Sequence, residues 1–214
     1  MTTGERQFAP ATQRNRVPIL AVLQQVLPKA GTVLEVASGT GEHAVYFSRQ
    51  MSHLNWLPSD PNPSARASIT AWREESGIAA LYPPVDLDAR QKRWPVEFLG
   101  RDSGSDSVPD PIAAIININM IHISPWEACL GLLAGAGRIL SEGGVLYLYG
   151  PYQRNGQHTA PSNAAFDMSL RSQHPTWGVR HLEDVVTAAE AEGLGLQQLV
   201  EMPANNMSVI FHKS

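Results

Sequence analysis

From residue 33 onward, short apolar runs alternate with longer amphipathic segments, which dictates a repeating strand and helix order. Residues 33–37 predict a first strand, 42–50 a helix and 54–57 a second strand, with Asp60 just beyond its end. A helix over 63–75 opens at Pro63 and is stopped by Gly77. Residues 80–85 predict a third strand that runs into Asp86-Leu87, and 112–118 a fourth, apolar until Asn117. A long helix over 125–140, the Gly143-Gly144 turn and a fifth strand over 145–149 follow. Helices over 162–172 and 182–192 then precede strands at 196–200 and 208–212. The link between those strands is too short for a helical crossover, so they pair antiparallel. Upstream, residues 1–14 read as a polar, mobile arm, and Pro18 opens a helix to about Leu27.

Continuous apolar strands separated by helices belong to a mostly parallel sheet covered on both faces. The expectation is an α/β, doubly wound, Rossmann-like fold with a seven-stranded sheet and a C-terminal antiparallel strand pair. At 214 residues the chain fills one core, so 1–214 is read as a single domain. The stretch 100–111, rich in Gly, Ser, Asp and Pro, reads as a surface loop.

Composition narrows the partners. With 43% hydrophobic and 17% charged residues and a formal net charge of −4, the chain has no basic footprint for a nucleic-acid backbone. It shows neither a signal-peptide pattern nor an apolar run near the ~20 residues of a membrane span, so a cytoplasmic protein without membrane contact is expected. Cys129 stands alone, which excludes an internal disulfide and a cysteine-rich metal site. The seven histidines lack ligand spacing such as H-E-x-x-H, and no metal is expected.

The candidate chemistry starts at Glu35-Val-Ala-Ser-Gly-Thr-Gly41, between a strand and an amphipathic helix. Its glycines let backbone approach a ligand, and the helix after it aims N–H groups at whatever binds. Gly39-x-Gly41-x-x-Ala44 meets the dinucleotide spacing and Asp60 follows as a ribose-binding acid, so an NAD(P)-dependent oxidoreductase is one reading. Against it, the chain has no Tyr-x-x-x-Lys pair, and its lysines, Lys29, Lys92 and Lys213, lie far from any plausible reaction centre. A cofactor-binding module acting through a partner protein is another.

Glu35 before the loop, Asp60 after the second strand, Asp86 after the third and the closing antiparallel pair together resemble the class I S-adenosylmethionine-dependent methyltransferases. Longer motifs resemble more closely the family containing methyltransferase-like protein 26. These are Arg14-Asn15, Leu34 to Ala44, Pro58-Ser-Asp60, Asn119 to Trp126, Tyr147 to Tyr152, Ala160 to Asp167 and Met202 to Asn206. The resemblance implies methyl transfer from S-adenosyl-L-methionine, leaving S-adenosyl-L-homocysteine. It places the methionyl part on Glu35, Ala37, Ser38, Gly39 and Gly41, the ribose on Asp60, adenine between Asp86 and Leu87, and the methionyl amine near Asn119. Ala37 stands where the superfamily has its first glycine, so a negative φ is expected there.

Methyl transfer from a sulfonium needs chiefly an in-line approach, and a base is optional. His122, a few residues past the fourth strand, is the candidate acid/base; packing under the next helix is the alternative. Ser124-Pro125-Trp126-Glu127 reads as a helix start with Ser124 as cap, leaving Trp126 as packed residue or substrate wall. The segment 150–163 is too long and polar for a mere connector, which makes Tyr152, Asn155, His158 and Asn163 substrate candidates. Trp177 and Asn205 close the same pocket or, alternatively, pack the core and form a turn. Arg14 is a candidate for the cofactor carboxylate, with a solvated charge as the alternative. The acceptor is expected to be a small molecule.

Overall fold

The structure, a computed structural model, describes residues 6–98 and 111–214. Its main strands are β1 (Thr32–Val36), β2 (Asn55–Ser59), β3 (Ile112–Ile118), β4 (Val145–Gly150), β8 (Leu194–Met202) and β9 (Asn206–Lys213). They form one sheet in the order β2-β1-β3-β4-β9-β8. β1, β2, β3 and β4 run parallel, while β9 lies antiparallel between β4 and β8. The helices are α1 (Pro10–Val26), α2 (Glu42–Gln50), α3 (Pro63–Ser76), α4 (Trp126–Ile139), α5 (Pro161–Gln173) and α6 (Leu182–Ala191). A small second sheet joins β5 (Tyr152–Arg154), β6 (Gln157–His158) and β7 (Arg180–His181) in the order β6-β5-β7.

Alternate residues of the central strands supply two apolar layers. Leu34, Ile115, Leu146 and Phe211 pack on one face with Cys129, Leu132 and Leu133 of α4 and Val185 of α6. Val33, Ala114, Ile116, Tyr147 and Ile210 face the other way, onto Ile19 and Leu23 of α1 and Phe47 of α2. The doubly wound α/β class expected from the alternation is therefore present.

Four local expectations are corrected. The helix near the N-terminus begins at Pro10, its first helical residue, and Pro18 lies inside it. Pro18 carries no N–H for the Arg14 carbonyl one turn back, yet Ile19, Leu20 and Leu23 bury enough apolar surface to keep the helix continuous. Among the described residues the main sheet has six strands, because residues 80–85 reach β2 only through the bridges Trp56–Leu81 and Ser59–Val85. Pro83 and Pro84 between those bridges have no N–H to complete a ladder. The segment 150–163 is not a plain loop: β5 and β6 form a hairpin turning at Asn155-Gly156, both with positive φ. Finally, α4 begins at Trp126 with Pro125 as N-cap, while the Ser124 hydroxyl donates to the Met120 carbonyl instead of capping the helix. Residues 99–110, nearly all of the expected surface loop, lie outside the described residues.

Candidate active site

The turn after β1 is built on short polar contacts. The Ser38 N–H donates to the Ser59 carbonyl at 2.8 Å, and its hydroxyl donates to the Glu35 carbonyl at 3.1 Å. This tight return puts Ala37 at φ 59, which corrects the expected negative value: the turn after β1 closes through a left-handed residue even without glycine. Gly41, at φ 89, needs its lack of side chain twice over, since a Cβ there would lie 2.9 Å from the Ile69 backbone.

Asp60 follows β2 directly. Its Oδ2 accepts the Gly39 N–H at 3.0 Å and its Oδ1 the Asn62 N–H at 2.9 Å. Each oxygen keeps a further lone pair for a ligand hydroxyl. Burial pushes the Asp60 pKa upward, opposed by those two N–H bonds. Glu35 is different in kind. Its side chain enters the layer beneath the sheet, where its carboxyl accepts the Trp56 indole N–H at 2.7 Å and burial pushes its pKa up to about 8.

Two cavities open at this end of the sheet, one of them against Ala37. A slit of about 190 Å³ lies between Val36, Ala37, Leu87, Met120, Ile123 and Trp177. A larger cavity of about 680 Å³ is walled by Arg14, Asn15, Asn119, Tyr149, Asn163, Phe166 and Asn205, among others, and shares Ile123 with the slit. Both sit at the carboxyl ends of the parallel strands, where the order β2-β1-β3 reverses direction away from β1. That switch point is where open α/β sheets bind ligands.

Several sequence candidates meet there. Arg14, Asn119, Asn163 and Asn205 line the large cavity; Ala37, Leu87 and Trp177 line the slit. Asn119 is held by its N–H on the Tyr149 carbonyl at 2.8 Å and has φ 65. The Asn163 carboxamide braces the rim by donating to the Asn205 carbonyl at 2.9 Å.

Others lie elsewhere. Asp86 is exposed and pairs with Arg66 at 3.0 Å, while its neighbour Asp88 faces the slit. His122 has no exposed surface and lines neither cavity. Its ring stands edge-on to Tyr152, its Nδ1 accepts the Arg180 N–H at 3.4 Å, and its Nε2 has no partner among the described residues. Burial pushes its pKa down to about 3, so it is neutral. Tyr152 is equally buried, and its hydroxyl has no partner among the described residues. Trp126 lies under the Arg180 guanidinium, Asn155 occupies the exposed hairpin tip, and His158 faces Asp167 at 3.7 Å.

The structure also brings in residues not singled out from the sequence. Asn15, Tyr149, Met120, Ile123 and Phe166 all stood within the quoted motifs but outside the candidate set, and the last three are apolar residues with no chemistry of their own to mark them. Among the described residues no group of His, Cys, Asp and Glu has metal-site geometry, and no helix is long and apolar enough to cross a membrane.

Known structures share this fold. An O-methyltransferase family protein from Burkholderia thailandensis superposes with a TM-score of 0.75 at 15% identity, over 95% of this chain and 57% of that one. The S-adenosylmethionine-dependent methyltransferase SibL, in its apo form, gives 0.73 at 18% identity, over 95% of this chain and 55% of that one. CalO1, a methyltransferase in calicheamicin biosynthesis in an S-adenosylhomocysteine-bound form, gives 0.68 at 16% identity, over 93% and 54%. The chain thus spans a little over half the length of these structures, and at such identities the likeness is one of fold. The sequence itself matches the model of the family described as "Protein of unknown function (DUF938)" over residues 6–213, and the chain belongs to that family.

Proposed function

We propose that this chain transfers a methyl group from S-adenosylmethionine to a small-molecule acceptor by in-line displacement. The observation that carries the reading is Asp60, held at the end of β2 by the Gly39 N–H, with the adjacent Pro61 in the wall of a largely apolar slit that shares Ile123 with a larger cavity. A nucleoside needs such an arrangement. The two carboxylate oxygens of Asp60 suit a ribose diol, and the slit between Leu87 and Met120 suits a planar base. Arg14, on the far side, suits the methionyl carboxylate, and Asn119 its amine. The fold of the solved methyltransferases and the motifs resembling the family of methyltransferase-like protein 26 support the same reading.

When bound, this cofactor supplies an electrophilic methyl on a sulfonium. The protein's part is to hold donor and acceptor in line and to exclude water from a cavity of largely apolar wall. His122 lines neither cavity, so positioning carries the rate and His122 serves packing. Differential stabilisation tests the assignment. S-adenosylhomocysteine should raise the melting temperature and NADH should not; stabilisation by NADH alone would favour an oxidoreductase.

A further inference from the structure

The wall of the larger cavity identifies the chemical class of the acceptor, on the reading that S-adenosylmethionine is the donor. Among the described residues that wall holds one cation, Arg14, and one phenol, Tyr149, with no carboxylate and no imidazole. Tyr149 is no base near neutral pH, since burial raises its pKa and outweighs the hydrogen bond with Asn15 that lowers it. Two imidazoles lie behind the wall: His43 is bonded to Asn15 at 2.8 Å and burial pushes its pKa down to about 4, and His122 is sealed behind β4, its Nε2 2.4 Å from a Cβ built on Gly150. No described group in the cavity removes a proton from an acceptor.

The charges point the same way. A bound donor brings a sulfonium, an ammonium and a carboxylate. Arg14, which has no carboxylate partner among the described residues, matches the carboxylate and leaves two positive charges. Glu35 does not compensate, because burial pushes its pKa to about 8 and keeps it protonated near neutral pH. Asp60 is placed for the ribose. The amino end of α5, without a side-chain cap or an acid in its first turn, also meets the cavity at Ser162 and Asn163 and adds positive potential. Pro18, Ile123, Pro151, Phe166 and Pro203 make much of the remainder apolar.

We infer that the acceptor is an oxygen or sulfur nucleophile already anionic at neutral pH, a carboxylate, thiolate or acidic phenolate on a small apolar body. A lone pair of that anion forms the new bond to the methyl carbon while the carbon–sulfur pair of the donor returns to sulfur. One positive and one negative charge become two neutral groups, and no proton moves. A weakly polar wall favours a step that annihilates charge and disfavours a neutral amine, whose product would be a cation needing a base.

Ring-matched probes test this directly: benzoate, thiophenol, para-nitrophenol, benzyl alcohol and benzylamine, each incubated with methyl-labelled S-adenosylmethionine. Transfer to at least one of the first three should exceed transfer to the last two by about tenfold or more, one decade of rate. For a reactive thiol or phenol the rate should rise with pH and level off at the probe's own pKa. Comparable transfer to benzyl alcohol or benzylamine, or equal absence of transfer across all five, overturns the inference. Calorimetry with S-adenosylhomocysteine, run in parallel, separates the two claims. Failure to bind removes the methyltransferase reading itself, whereas binding without the anionic preference removes only the acceptor class.

Discussion

Glu35→Gln should abolish most of the loss of folding stability above pH 6.5. In the folded chain the Glu35 carboxyl is buried against Trp56, and its pKa rises from 4.5 to about 8, chiefly through desolvation. The Trp56 N–H opposes that rise and the nearby Asp60 adds to it. Between the two values the folded chain keeps a proton that the unfolded chain has released. Stability therefore falls as pH rises, by about 1.4 kcal/mol per unit and by about 5 kcal/mol over the whole interval. About 2 kcal/mol of this falls between pH 6.5 and 8, or roughly 4–8 °C in melting temperature for a chain of this size. His43 and His122 act in the opposite window. Burial lowers their pKa values to about 4 and about 3, so below the unfolded value near 6.5 the unfolded chain binds protons that the folded one refuses. Stability should peak near pH 6.5. Glutamine keeps the shape of Glu35 and an oxygen for the Trp56 N–H but does not titrate. Urea unfolding of both proteins at pH 6.5 and pH 8 is the assay. A Glu35→Gln protein that still loses about 2 kcal/mol between those values would refute the assignment of that loss to Glu35.

Three further substitutions probe the site. Ala37→Gly should stabilise the fold by about 0.5 kcal/mol, because relief of a left-handed alanine at φ 59 outweighs the extra freedom of unfolded glycine; a lower melting temperature would contradict the turn geometry. Asp60→Ala should raise the dissociation constant for S-adenosylhomocysteine by about 100-fold, since two hydrogen bonds to a carboxylate are removed, and an unchanged constant by calorimetry would show that Asp60 does not hold the ribose. His122→Ala should destabilise by about 2–3 kcal/mol through the cavity it leaves against Tyr152, with cofactor affinity unchanged; weakened binding at intact stability would place His122 in the site after all.

Elements whose apolar period was uninterrupted were legible residue by residue: β3 spans Ile112–Ile118 and α2 spans Glu42–Gln50, as expected. Where proline intervened, reading was harder. Pro18 resembles a helix start, yet the buried face of α1 runs past it, and Pro83-Pro84 lies in an apolar run that cannot form a ladder. At the site, local spacing singles out Ala37, Gly39, Gly41 and Asp60, and of these Ala37 lines the slit. Met120, Ile123 and Phe166 could not be singled out, because the cavities form only when the ends of β1, β3 and β4 come together with α1 and α5. His122 shows the same limit. A histidine after a strand suits catalysis or packing equally, and only the closeness of Gly150 and Tyr152 decides where its ring goes.

The central claim is that a nucleoside cofactor spans the slit and the larger cavity with its ribose on Asp60. A crystal structure with S-adenosylhomocysteine tests it most directly. Adenine is expected between Leu87 and Met120, both ribose hydroxyls on the Asp60 carboxylate, and the sulfur facing the cavity beside Asn119 and Tyr149. Density for the ligand away from Asp60, or a crystal soaked to saturation that leaves the slit empty, would contradict it.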